Sequence, residues 1–334
     1  MNLEDIAEKA GVSRSTVSRV INNERYVSEK VRQRVLQVIA EENFRPNPAA
    51  RTLVTRRSGI IGTAIPQTTN VFFGDNSYYP MLLQGVAEAV NQRDYALLLY
   101  LAEEQEEREN FAERVVRQRH ADGLILSSVI EGDPLFTYLL KHDRRFVIVE
   151  TPPHHEERVS YVTVDNVAAA EMAVNHLIAI GRRRIAKITG QINIMDAVER
   201  LEGYQNALRA HGLPVDPNLI VYGRFHRDAG YEGMKQLLPH QPDAVFAGGD
   251  TIALGVLDAL TEAGLCVPED VALVGFDDLD VAERAQLTTI NHSVQYVGSR
   301  AATLLMDLIE GRLEHPQHIV LPTRLVIRRS TVGS

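Results

Sequence analysis

From Gly59 onward, short apolar runs alternate with helical stretches, and this alternation restricts the fold more than any other feature. IIGTAI (60–65), ALLLYL (96–101), GLILSS (123–128) and FVIVE (146–150) form one set of strands. YVTVD (161–165), RIAKITG (184–190), AVFAGG (244–249) and VALVGFD (271–277) form a second. Helical stretches lie among them, at 81–93, 107–119, 167–180, 199–210, 251–264 and 295–310. Apolar strands alternating with helices predict parallel sheets covered on both faces. Two successive sets predict two similar doubly wound lobes. Ligands of such sheets bind beyond the carboxyl ends of the strands, so two facing lobes make a cleft there.

Residues 1–43 read differently, as three short helices. Leu3, Ile6, Ala7 and Ala10 make an i, i+3, i+4, i+7 stripe. Gly11 suits the positive φ of a tight stop, and Ser13 can cap the next helix. There Val17, Val20 and Ile21 face inward, while Arg14, Ser15, Ser18, Arg19 and Asn22 face outward. Ser28 can cap a third helix with Val31, Val35, Val38 and Ile39 inside. A first helix, a turn with Gly and a second helix with a polar outer face make a helix-turn-helix, whose second helix enters the major groove. Arg14 and Arg19 can bond guanine bidentately or pair with phosphate, and Ser15 and Thr16 can touch base edges or backbone. Ser13, Asn23, Tyr26 and Ser28 are candidate phosphate partners. An ordinary helical hairpin with a solvated face is the alternative on this pattern alone.

Charge supports the first reading. The chain carries −9 overall, yet residues 1–58 hold 11 Lys+Arg against 7 Asp+Glu, or +4, leaving −13 for the rest. An acidic body repels phosphate, so DNA contact is expected only at the head. Between head and body, FRPNPAARTLVTRRS (44–58) has Asn47 as a good N-cap and Pro48 at a first helical position. About two turns of helix are too few to persist alone in water.

The run LEDIAEKAGVSRSTVSRVINNERYVSEKVRQRVLQVIAEENFRPNPAARTL resembles, over its whole length, the headpiece of the lactose-repressor/galactose-repressor family. The pattern IA-x-x-AGVS-x-x-TVSRV-x-N, then VS-x-x-x-R and F-x-PN-x-x-AR-x-L, carries the likeness in register. The resemblance implies an all-α headpiece (1–43), a hinge helix and linker (44–58), and a periplasmic-binding-protein-like core (59–334). Its N-lobe covers about 59–161 plus 293–322 and its C-lobe about 162–292 plus 323–334, with crossings near 161–163, 290–293 and 321–324. It also implies base-reading positions at Arg14 and Ser15, a further DNA contact at Arg19, and a hinge helix from Asn47 to Leu53. Ala50 lets two hinge helices approach, and Leu53 is the apolar wedge that opens a base step.

For the body, the family implies a sugar or other metabolite between the lobes. Glu150 and Asp277 end strands, where carboxylates accept paired hydroxyl bonds from a sugar. Asp278 is the less inward of the Asp277–Asp278 pair and is expected to pair with a cation or face solvent. Arg200, in ERLEGY, resembles the family's effector-binding arginine, and Phe225 a stacking position. Ser127 and His292 fall at further family pocket positions, and Tyr78 and Tyr79 where an aromatic wall is expected. Asp250 reads as a helix N-cap. Departures include Gly249-Asp250 where the family often has Asn-Asp, a long 70–80 segment, and Glu150 in place of Asp.

The expected partners are palindromic operator DNA, a small-molecule effector, most readily a sugar, and a second copy of the chain; a dimer is favoured and a tetramer left open. A corepressor-dependent regulator sensing a nucleobase or other metabolite is one alternative. A ligand-binding protein without a DNA role is another. Catalysis is not expected, since GxGxxG, GxxxxGK[ST], HExxH and GxSxG are absent. No cofactor or metal is expected either: the single cysteine, Cys266, precludes an internal disulfide or a cysteine zinc site. The start MNLEDIAEKAG lacks the apolar stretch of a secretion signal, so a cytoplasmic location is expected, nucleoid-associated when operator is bound.

Overall fold

A computed structural model describes residues 2–21, 26–44, 57–65, 77–101 and 120–332. It divides into two compact units, Met1–Gly59 and Ile60–Ser334.

In the first unit, helix α1 (Leu3–Ala10) opens with a capping box. The Asn2 side chain accepts from the Glu4 and Asp5 N–H groups, and Asp5 accepts from the Asn2 N–H. Gly11 closes it at φ 62°, in the left-handed region that glycine tolerates. Ser13 caps α2 (Arg14–Ile21) through the Thr16 N–H at 3.2 Å. Ser28 precedes α3 (Glu29–Glu41) but makes no side-chain cap bond. Ile6, Ala7, Ala10, Val17, Val20 and Val35 are buried together, with Leu3, Ile21, Val31, Val38 and Ile39 packed around them. The stripes read from the sequence are the ones that pack.

In the second unit, the first sheet runs β11-β5-β4-β3-β1-β2, all parallel. Its strands are β1 (Ile60–Ile65), β2 (Ala96–Leu101), β3 (Gly123–Ser127), β4 (Phe146–Val149), β5 (Ser160–Val164) and β11 (His318–Leu321). The second sheet runs β12-β10-β9-β8-β6-β7. It comprises β6 (Ile185–Ile188), β7 (Ile220–Val221), β8 (Ala244–Ala247), β9 (Ala272–Asp277), β10 (Thr288–Asn291) and β12 (Arg324–Val326), with β12 antiparallel to β10.

The main helices are α4 (Tyr78–Asn91), α5 (Pro134–Lys141), α6 (Asn166–Ala179), α7 (Met195–Ala210), α8 (Arg227–Leu237), α9 (Asp250–Glu262), α10 (Asp280–Arg284), α11 (Val294–Glu310) and α12 (Arg329–Val332). The stretch 107–119, expected as helix, lies outside the described residues.

One strand assignment is corrected. YVTVD was placed with the second set, but β5 pairs in parallel with β4 (Ile148↔Tyr161) and with β11 (Ile319↔Val162), so it belongs to the first sheet. Its fully buried, β-branched sequence fits either sheet equally, and only pairing decides. The chain therefore leaves the first sheet after Val164 rather than at 161–163. It returns between Asn291 and Val294 and crosses again between Leu321 and Arg324.

The first lobe is clamped by α4 against α11. A Cβ on Gly85 would sit 1.8 Å from the Gln295 carbonyl oxygen, and one on Gly298 2.2 Å from that of Leu82. The two backbones touch only because both positions lack side chains. Gly85→Ala should therefore force the helices apart and cost about 2–3 kcal/mol. Urea unfolding should show a lower midpoint at an unchanged slope; an unchanged midpoint would mean that the helices separate at little cost.

Candidate functional site

The carboxyl ends of the two sheets face one cleft of about 510 Å³, its open mouth included. Tyr78, Tyr79, Ser128 and Glu150 line it from the first lobe. Ile194, Asp196, Arg200, Phe225, Gly249, Thr251, Ile252 and Asp277 line it from the second.

Glu150 follows β4 and Asp277 ends β9, the third strand of each sheet in matching order. Both hold unusual backbones for residues with side chains, φ 100° at Glu150 and φ 105° at Asp277. Strain of this kind persists where surrounding structure imposes it, characteristically at ligand sites. Glu150 accepts the Ser128 N–H at 3.0 Å on either oxygen and the Ser127 hydroxyl at 3.1 Å. The Ser128 hydroxyl in turn lies 2.8 Å from the Tyr79 hydroxyl.

Arg200, on α7, is 3% exposed. Its Nε donates to Asn166 Oδ1 at 2.9 Å, Nη1 to the Gly248 carbonyl at 2.7 Å, and Nη2 to Asp196 Oδ2 at 3.2 Å. Nη1 also stands 3.6 Å from Asp277. The guanidinium lies over the Phe276 ring, 3.6 Å from its centroid, with Phe225 at 5.8 Å. A guanidinium has five N–H donors, so donors remain to point at a ligand.

Burial and crowding set the charge states. Burial, then the Asp196 carboxylate, pushes Glu150 from 4.5 up to about 8. Burial also raises Asp196. Burial, then Glu150 and the neighbouring aspartates, drives the Tyr78 phenol well above its ordinary value, so it stays a proton donor.

Of the residues expected at the effector, Tyr79, Glu150, Arg200, Phe225 and Asp277 line the cleft, as does Tyr78. Ser127 and His292 do not line it. Each instead holds a carboxylate that does: Ser127 donates to Glu150, and His292 Nε2 lies 3.1 Å from Asp277. Asp250 is no N-cap, since α9 starts on it. Its buried carboxylate takes the Thr289 hydroxyl at 2.6 Å and the Leu279 N–H at 2.8 Å, tying β10 to the loop after β9. Asp278 meets Arg328 at 2.7 Å and Asn291 at 2.8 Å, the cation pairing expected of it. The sequence reading missed Asp196 and Asn166. Asp196 sits four residues before Arg200 on one helix, a spacing that puts the two side chains together and could have found it. Among the described residues no group of His, Cys, Asp and Glu could hold a metal ion.

On the first unit, Arg14, Ser15, Arg19, Tyr26 and Ser28 are exposed, while Thr16 and Ser18 are half-buried. Ser13 joins its hydroxyl to those of Ser15 and Thr16 at 2.7 and 2.8 Å, which organises the start of α2. Arg14 reaches Glu4 at 3.0 Å across an exposed surface, a pair weak enough to exchange for phosphate or base. Asn22, Asn23, Asn47, Ala50 and Leu53 lie outside the described residues.

Two parallel-sheet lobes around a polar and aromatic cleft, joined in one chain to a helix-turn-helix, define a ligand-binding DNA-reading regulator. The profile of the bacterial regulatory proteins of the lacI family matches residues 2–47, and that of the periplasmic binding protein-like domain matches residues 174–331. The HTH-type transcriptional regulator CelR of Thermobifida fusca is 39% identical over 98% of this chain and 97% of its own. The ribose operon repressor of Escherichia coli K12 is 33% identical over 98% and 99%. The solved structure of a CelR–cellobiose complex superposes with a TM-score of 0.79 at 36% identity, covering 99% of both chains. The chain belongs to the LacI family of bacterial transcription regulators. These relatives are transcription regulators rather than enzymes. Among the described residues no helix is long and apolar enough to cross a membrane.

The raised Glu150 value has a direct consequence. The folded chain holds a proton that the unfolded chain releases. The stability this adds is complete below 4.5 and is lost as pH rises through about 8. Urea unfolding of the wild type and Glu150→Gln, between about pH 5 and pH 9, should show the wild type losing stability relative to the variant as pH rises. A pH-independent difference would mean that Glu150 is ionised in the fold.

Proposed function

We propose that this chain is a repressor that releases its operator when a neutral sugar, with a β-linked disaccharide such as cellobiose as first candidate, binds between its lobes. The observation that carries the reading is the Arg200 fork, set among Glu150, Asp196 and Asp277 and walled by Phe225 and Tyr79. Carboxylates and a guanidinium accept and donate to adjacent hydroxyls, and an aromatic face covers the C–H side of a sugar ring. Even with Glu150 protonated, Asp196 and Asp277 face the single Arg200, so a phosphorylated or carboxylic effector would gain no net attraction. Similarity to the regulator solved with cellobiose supports the choice of first candidate.

At the DNA, Arg14 and Ser15 read base edges at the start of α2, with Thr16, Ser18, Arg19 and Asn22 alongside. Ser13, Asn23, Tyr26 and Ser28 hold phosphates. Two chains pair so that two heads meet a two-fold operator. Asn47 to Leu53 folds as a hinge helix only on DNA, where Ala50 allows the helix pair to close and Leu53 wedges a base step. The core spans 59–334, and effector closure of its lobes separates the paired linkers. The protein works in the cytoplasm, on the nucleoid.

With a palindromic site selected from random DNA, cellobiose should lower operator affinity by at least about tenfold, or about 1.4 kcal/mol of coupling. Sugar phosphates should leave it unchanged. A panel in which only sugar acids or nucleobases act would overturn the effector class, and failure to select any palindrome would overturn the operator role. Arg14→Ala should cost about 1–3 kcal/mol on the selected site and relax its sequence preference, read by binding to single-base variants. Equal loss on every sequence would make Arg14 a phosphate contact instead.

A further inference from the structure

Asn166 stands where the chain first leaves the N-lobe sheet: β5 ends at Val164 and α6 begins at Asn166. The helix does not need its side chain as a cap. Asp165 fills that role, accepting the Ala168 N–H at 2.9 Å. The Asn166 amide is 1% exposed and fully engaged. Its Oδ1 accepts Arg200 Nε at 2.9 Å. Its Nδ2 faces Glu199 Oε2 at 2.9 Å, Asp196 Oδ1 at 3.1 Å and the Val164 carbonyl at 3.4 Å. An amide nitrogen has two protons for these three acceptors, so the bond to Val164, the longest, is the one that yields first. Glu199 extends the same network into the other lobe: it takes a hydrogen bond from Thr151, whose hydroxyl lies 3.3 Å from that of Thr163 on β5.

We propose that Asn166 is a positioning residue: it fixes the plane of the Arg200 guanidinium in the cleft and passes a displacement of that guanidinium to the first crossover between the lobes. The inference rests on Arg200 being an effector contact. A guanidinium is planar and rigid, so anchoring Nε fixes where both Nη groups point. Removal of Oδ1 leaves a buried N–H without its acceptor and lets the plane swing. A ligand that pulls on the Nη groups moves Nε, and through Asn166 moves the backbone between Val164 and α6, about which the lobes must turn. Gly248 holds Nη1 from the second lobe alone, and Asp196, which holds Nη2, reaches the crossover only by accepting the Asn166 amide, so both links from the guanidinium to the crossover run through Asn166.

Two readouts on the full chain test this. The first needs no ligand. In protein labelled with ¹⁵N-arginine, the Arg200 Nε–H signal, assigned by its loss in Arg200→Lys, should exchange slowly with water. Asn166→Ala should speed that exchange by at least about tenfold, whereas Glu199→Gln, which alters the Nδ2 side of the network and leaves Asn166 Oδ1 on Nε, should stay near wild type. Equal protection in Asn166→Ala overturns the proposal. The second readout is cellobiose titration. Asn166→Ala should weaken cellobiose binding at least about tenfold and shrink its effect on operator affinity, with Glu199→Gln keeping both within about threefold of wild type. If Arg200→Lys binds cellobiose like wild type, the reading of the cleft fails. If Arg200→Lys loses binding and Asn166→Ala keeps it, the role of Asn166 fails. If wild type does not bind cellobiose, the disaccharide is wrong, and the exchange measurement alone decides the role of Asn166. Should Asn166→Ala not fold, Asn166→Ser, too short to span to Nε, carries the same expectations.

Discussion

The cleft depends on one buried cation. A guanidinium that is 3% exposed would be untenable without partners, because desolvating a charge costs several kcal/mol unless it is paired and hydrogen-bonded. Arg200 meets that condition through three different parts of the second lobe: the start of α6 (Asn166), its own helix (Asp196) and the turn after β8 (Gly248). The Phe276 ring beneath it completes the support. The arginine is therefore the bond that organises this side of the cleft, beside the ligand contact proposed for it.

The acids around it, drawn from both lobes, pose the inverse charge problem. Glu150 and Asp277 occupy matching strand ends, both in strained backbones that surrounding bonds enforce. With Asp196 they bring acids toward one arginine from both lobes. Glu150 answers by binding a proton, with two hydroxyls and a backbone N–H turned toward it. Hydroxyl groups of a neutral polyol can take the place of such protons between carboxylates. A cleft of this kind suits the neutral ligand proposed for it better than an anionic one.

Much of the fold was legible because hydrophobic period is local. The i, i+3, i+4 stripe of Leu3, Ile6, Ala7 and Ala10 and the apolar runs of β1 and β2 needed no partner to be recognised. Sheet membership is not local, which is why YVTVD went to the wrong lobe: a fully buried strand looks the same in either sheet, and its place is fixed by pairing with β4 and β11. The short α5 and α8 and the strands β10 to β12 were also passed over, their few residues giving too little period to read. In the cleft, Arg200, Glu150 and Asp277 were found from strand ends and family pattern. Ser127 and His292 were found but prove to support carboxylates, a distinction of one bond length that no spacing encodes. Asn166 carried no signal at all, since an asparagine beside a capping aspartate reads as part of an ordinary helix start.

Central to this account is that the cleft and the DNA-reading head share one equilibrium. Calorimetric titration of cellobiose into the full chain, alone and saturated with its operator duplex, tests that directly, because linkage requires the two couplings to be equal. Operator DNA should weaken cellobiose binding by the same factor, at least about tenfold, by which cellobiose weakens operator binding. Equal cellobiose affinity with and without operator would contradict it.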